Sequence, residues 1–132
     1  MDIYVPNQGD IIHETSVDFV LRSISKEIHV VQYDTLPIIK VNLFNNGERY
    51  VLPESAKVNV RFCQLDNTEI YKSVLGCNSE RNAVYFDIDE EMSSLKGTFE
   101  PVLEIFYSPN KRGCSSPILI DIERNPIKKT NL

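Results

Sequence analysis

The sequence contains no tryptophan, only two histidines, three cysteines and five glycines, and each shortage closes off a class of function. Nucleophilic catalysis of the Ser–His or Cys–His kind needs an imidazole beside the nucleophile. Only His13 and His29 are present, and neither stands in a catalytic motif. The nearest approach to a nucleophile elbow, Gly113-Cys114-Ser115-Ser116, lacks the second glycine of G-x-S-x-G. Phosphate-cradling loops need clustered glycines, whereas Gly9, Gly47, Gly76, Gly97 and Gly113 stand alone, each where a turn or helix stop is expected. Paired carboxylates for sugar cleavage would want aromatic platforms, and tryptophan is missing. No catalytic residue, cofactor site or metal site is therefore expected, and an enzyme is not expected.

Positive charge is also scarce. The formal net charge is −5, and the densest basic pairs, Lys111-Arg112 and Lys128-Lys129, are too short to form a stripe along a phosphate backbone. Nucleic acid is not an expected partner. No apolar run approaches the roughly 20 residues of a membrane span, so no membrane partner is expected either. The first residues, Met1-Asp2-Ile3-Tyr4, are acidic where a secretory signal would be basic, from which synthesis in a cytoplasm is expected. The cysteines Cys63, Cys77 and Cys114 are odd in number and match no C-x-x-C spacing, so three free thiols are expected. One acidic cluster, Asp87, Asp89, Glu90 and Glu91, lacks the spacing of a calcium loop and reads as the start of a helix.

What the sequence does have is alternation with period two. Residues 27–33, 38–44, 57–65, 69–75, 83–88 and 118–122 all read as strands, with a short return strand over 49–52. Asn46-Gly47 is a hairpin signal because both residues tolerate positive φ, and Asp66-Asn67 is a second turn. Val58, Val60 and Phe62 fall on one face of their strand, as do Val84, Phe86 and Ile88 of theirs. Residues 98–107 form a strand interrupted by Pro101, which implies an edge or a bulge. Over 89–97, leading acids, a late lysine and a closing glycine predict a short helical turn near Asp89–Leu95, with Met92 and Leu95 facing inward.

Strands recurring every ~8–12 residues imply a sandwich or barrel. The expected fold is all-β: a two-layer antiparallel β-sandwich, Ig-like or jelly-roll-like, of about eight strands. The sandwich is expected over 27–126, ending at Asn125-Pro126, with 127–132 as a tail and 1–26 as an N-terminal arm or first element. The segment 16–27 is ambiguous between helix and strand. Val17, Val20, Leu21, Ile24 and Ile28 fit a helical stripe, while Val17, Phe19 and Leu21 equally fit a strand.

From Val31 to Pro126 the order of signals resembles the N-terminal β-sandwich domain of the phage baseplate upper protein family. The residues that carry the resemblance begin with Val31-Gln32-Tyr33-Asp34-Thr35, residues 39–47 and Ala56-Lys57-Val58-Asn59-Val60-Arg61. They continue through 71–76, Arg81-Asn82-Ala83-Val84-Tyr85-Phe86, Met92 with Gly97, and Ser115-Ser116-Pro117 with residues 120–126. The resemblance covers about three quarters of the chain. It implies a structural protein of a bacteriophage particle, made in the host bacterium and residing in the virion, that attaches fibres or neighbouring virion proteins. The family continues past the sandwich into a linker and platform, and here the lead 1–26 precedes it, so a place on the capsid or at a head fibre is an alternative to the tail baseplate. The partners would be other virion proteins, gripped through the N-terminal arm and the sheet edges in an oligomer or larger assembly. A different class of function, a small carbohydrate-binding module for a host surface, is the alternative reading.

Overall fold

The computed structural model describes residues 1–22, 25–63 and 69–125, with the side chain of Cys63 outside that set. Twelve strands and one short helix lie among the described residues. The strands are β1 (Ile11–Asp18), β2 (Ile28–Val31), β3 (Pro37–Asn45), β4 (Glu48–Arg49), β5 (Lys57–Cys63) and β6 (Glu69–Ser73). They continue with β7 (Gly76–Cys77), β8 (Ala83–Asp87), β9 (Gly97–Phe99), β10 (Val102–Ser108), β11 (Lys111–Cys114) and β12 (Ile120–Glu123), with helix α1 at Glu90–Ser93.

The strands make a β-sandwich. One sheet runs β1-β3-β8-β7, with β4 also on β3; a second runs β11-β10-β5-β6; a smaller third runs β2-β12-β9. The inward positions of all three meet in one apolar cluster. Val17, Ile39, Val41, Leu43, Val84 and Phe86 come from the first sheet, Val58, Val60, Phe62, Leu103 and Ile105 from the second, and Ile28, Val30, Phe99, Ile120 and Ile122 from the third. The Phe62 and Phe99 rings stack 4.9 Å apart and join the second sheet to the third. The period-two faces read from Val58, Val60, Phe62, Val84, Phe86 and Ile88 are the buried ones.

Several local expectations take definite form. Asn46 and Gly47 both have positive φ and close the two-residue β3–β4 hairpin, although the return strand stops at Arg49. Asp89 caps α1 by accepting the Met92 N–H at 2.9 Å, and Met92 is fully buried. Pro101 does not bend one strand. It divides two, so that β9 pairs with β12 and β10 pairs with β5 in a different sheet.

The expectation of purely antiparallel sheets needs correction. β1 pairs with β3 in parallel over eight residues, from Ile11↔Pro37 to Asp18↔Phe44, and β2 pairs with β12 in parallel. Side-chain periodicity reports which face is buried but carries no information about strand direction. Of the two readings of 16–27, the strand holds through Asp18, where it stops for a local reason. Asp18 Oδ1 accepts the N–H groups of Val20 and Leu21 at 2.8 Å, which turns the chain out of the ladder. Ser23 and Ile24 lie outside the described residues, as do the Asp66-Asn67 turn, Pro126 and the tail 127–132.

Candidate interaction surfaces

A sandwich made of open sheets has edges, and an edge strand offers unpaired backbone donors and acceptors to any chain that can lie beside it. The six sheet edges here are unequal. β2 and β9 are only four and three residues long. β11 carries Lys111 and Arg112, charges of the kind that discourage edge pairing, while β6 carries Glu69 and Lys72, the latter tied by its ammonium to Asp87 and Asp89.

The β7 edge is already occupied by the chain's own beginning. Ile3 bridges Cys77 in parallel, the Tyr4 N–H donates to the Cys77 carbonyl at 2.8 Å, and the Cys77 N–H donates to the Asp2 carbonyl at 3.0 Å. This approach depends on Gly76, because a Cβ there would lie 2.6 Å from the Asp2 carbonyl oxygen and 2.9 Å from Tyr4 Cβ. The Tyr4 ring then packs on Tyr85, the outward residue of β8, at 5.2 Å.

β1 is the remaining edge. It is eight residues long, pairs among the described residues on one side only, and carries no lysine, arginine or proline. Ile11 and Ile12 are 46% and 39% exposed, and just beyond the strand Val20 and Leu21 are exposed as well. Its two ends are treated differently. The Asp18 end is fixed by the Ser116 hydroxyl, which accepts the Asp18 N–H at 3.0 Å, and by the Ser116 N–H, which donates to the Asp18 carbonyl at 2.9 Å. Asp18 also receives the Asn46 and Gly47 N–H groups of the β3–β4 turn at 3.0 and 2.8 Å. Burial alone would raise the Asp18 carboxyl pKa, but these four backbone donors outweigh it and bring it down to about 2.

The residues of Gly113-Cys114-Ser115-Ser116 serve structure. The Ser115 hydroxyl accepts the Leu103 N–H and donates to the Ser116 carbonyl, while Cys114 is half-buried beside Glu104. Cys77 is fully buried in the core, and both of these thiols are free. In the acidic cluster, Asp87 and Asp89 take the Lys72 ammonium at 2.6 and 3.2 Å. Burial works against the charged form of Asp89, but the Met92 N–H and Lys72 prevail and lower its pKa. A groove of about 780 Å³ opens at one end of the second sheet, lined among others by Met1, Ala56, Val58, Val74, Phe106 and Tyr107. The Tyr107 hydroxyl touches that of Tyr50, and burial followed by that contact pushes its pKa up.

Of the two histidines, His13 is half-buried on β1, while His29 stands exposed on β2 within a ring of carboxylates. Its Nδ1 lies 3.3 Å from Asp121 Oδ2, 3.6 Å from Glu27 Oε1 and 3.6 Å from Glu123 Oε1. Sequence reasoning passed over this group. The available signal was the pair of spacings Glu27-x-His29 and Asp121-x-Glu123, each placing two side chains on one face of a strand.

No family model matches the sequence, and no curated protein matches it. Among solved structures the fold is similar to the N-terminal domain of ORF48 of phage TP901-1. The superposition has a TM-score of 0.71 at 10% identity and covers 86% of this chain and 98% of that domain. The chain therefore has the fold of that phage domain.

Proposed function

We propose that this chain is a non-catalytic structural protein of a bacteriophage particle, a β-sandwich adaptor that holds a fibre or neighbouring protein on the virion. The observation that carries the proposal is the fold likeness over nearly the whole of a phage protein's N-terminal domain. The resemblance to the baseplate upper protein family, made from separate short motifs spread over 31–126, points the same way. The edges supply the means. β1 offers a long, partly apolar strand edge without lysine, arginine or proline, and strand addition there would satisfy backbone groups on both chains while Ile11 and Ile12 provide side-chain contacts. The tail baseplate is the favoured location, with the capsid surface or a head-fibre base as the other virion sites.

The experiment is mass spectrometry of purified particles combined with an edge variant. The chain should be recovered from particles in a fixed ratio to known virion proteins. Ile12→Lys should leave the thermal midpoint nearly unchanged, because exposed substitutions stay within about 0.5 kcal/mol, yet reduce incorporation. Absence of the chain from particles would overturn the virion role. Normal incorporation of a folded Ile12→Lys protein would overturn the role of the β1 edge.

A further inference from the structure

We propose that the outer face of the β2–β12 pair is a binding site for a divalent transition-metal ion of the zinc type, with Glu27, His29 and Asp121 as ligands. The backbone sets up the site. β2 and β12 are parallel neighbours with His29 opposite Asp121, and alternate residues of each strand project from the same face. Glu27 and His29 therefore stand beside Asp121 and Glu123 on two hydrogen-bonded strands. The ligand atoms of Glu27, His29 and Asp121 lie within 4.8 Å of one another, and Glu123 brings a further oxygen to 3.6 Å from the imidazole nitrogen.

Two features distinguish this group from an ordinary solvated acidic face. The first is stoichiometry. Three carboxylates converge on a single ring nitrogen, and His29 Nδ1 has at most one hydrogen to donate. Among the described residues, no lysine or arginine forms an ion pair with Glu27, Asp121 or Glu123, since the ion pairs of the other cations go elsewhere. A divalent cation between Glu27, His29 and Asp121 answers two carboxylates at once, where one proton answers one. The second feature is spacing. Neighbouring ligands of a tetrahedral ion are about 1.63 bond lengths apart, so zinc bonds of about 2.0–2.1 Å place them about 3.3–3.4 Å apart. The distances from His29 Nδ1 to the Asp121 and Glu27 oxygens are 3.3 and 3.6 Å. An imidazole among carboxylates also favours zinc over calcium or magnesium, which take oxygen ligands. The Thr98 hydroxyl donates to the other oxygen of Asp121 at 3.4 Å, an outer contact that orients a ligating carboxylate.

The test uses the full chain, stripped with chelator, and titrates zinc chloride by calorimetry, with calcium chloride in parallel. His29→Ala and Asp121→Asn change exposed or half-exposed side chains, so both should fold, and their metal-free thermal midpoints check that. The expected result is saturable binding of one zinc ion per chain that raises the midpoint, weakened at least ~10-fold in each variant, with calcium binding much weaker. Because the chain has only two histidines, zinc should shift the imidazole NMR signals of His29 and leave those of His13 in place. No saturable zinc uptake, or uptake equally tight in folded His29→Ala, would overturn the site. So would zinc that leaves the His29 signals unmoved.

Discussion

Whether β1 is part of the sandwich or a detachable arm turns on Val17. This side chain is 2% exposed, belongs to the central apolar cluster and pairs across to Leu43 on β3. Val17→Ala removes two methylene equivalents at about 0.8 kcal/mol each, or about 1.6 kcal/mol of transfer free energy. A further contribution comes from whatever cavity remains. Val17→Asp is harsher, because it either buries an unpaired carboxylate or pulls β1 away from β3. That costs several kcal/mol, a large share of the ~5–15 kcal/mol that holds a domain together. Val5→Asp is the control, since Val5 is 76% exposed and surface changes stay within about 0.5 kcal/mol.

Urea unfolding followed by far-UV circular dichroism reads these differences in a chain without tryptophan. With a slope of about 2 kcal/mol/M, 1.6 kcal/mol lowers the midpoint by about 0.8 M. The expected order of midpoints is wild type and Val5→Asp together, Val17→Ala lower, and Val17→Asp lowest or unfolded. Composition and motif order place the start of the sandwich near Glu27, which would let a chain beginning there fold. The docking of β1 on β3 predicts instead that such a truncation is unfolded, because it uncovers the long flank of a central strand. If Val17→Asp unfolds at the same urea concentration as Val5→Asp, the docking of β1 is refuted.

Two further outcomes follow from the same contacts. Asp18 has a native pKa of about 2, below its ordinary 3.8, so its contribution to stability is fully present above pH 3.8 and is lost as the pH falls through about 2. Asp18→Asn, which loses the charge and the acceptor facing the Gly47 N–H, should therefore melt lower than wild type at neutral pH. The gap should close between pH 4 and 2, and a gap independent of pH would refute the assignment. For the thiols, denatured, non-reduced protein should titrate as three free cysteines, and in the native state Cys114 should react well before the buried Cys77. A stable disulfide, or Cys77 reacting first, would contradict this.

Much of the fold is legible in the sequence because alternation is a direct consequence of the pleat. The buried faces of β5 and β8, the Asn46-Gly47 hairpin and the capped turn before Met92 each follow from a few adjacent residues. What the sequence does not show are the relations between distant segments. The parallel pairings of β1 with β3 and β2 with β12 leave no mark in either strand alone. β7 has two residues and pairs with β8, with residues 2–4 on its other side, and β11, Lys111–Cys114, shows no alternation of apolar residues. The strand reading of 16–27 prevails only up to Asp18, whose acceptors are saturated by two neighbours and by a turn 28 residues away. The carboxylate ring around His29 is hidden for the same reason, being assembled by register between strands 92 residues apart in sequence.

The N-terminal residues give the sandwich an asymmetry that bears on the proposed role. Residues 2–4 close the β7 edge of the first sheet with backbone hydrogen bonds, and the same chain then supplies β1 at the opposite edge. One segment thus removes one pairing site and creates another. The site it removes is two residues long; the one it creates is eight residues long, flanked by exposed apolar side chains and without lysine or arginine, its charged residues being Glu14 and Asp18. A protein selected only to stay monomeric would be expected to blunt the longer edge first, since a long edge without lysine or proline is the greater aggregation hazard. Leaving that edge bare while spending residues to cover the shorter one is the pattern expected of a strand reserved for a partner. Under the proposed role, the first 18 residues would serve the fold and the assembly together, through the two sides of β1: one against β3, the other toward a neighbouring chain.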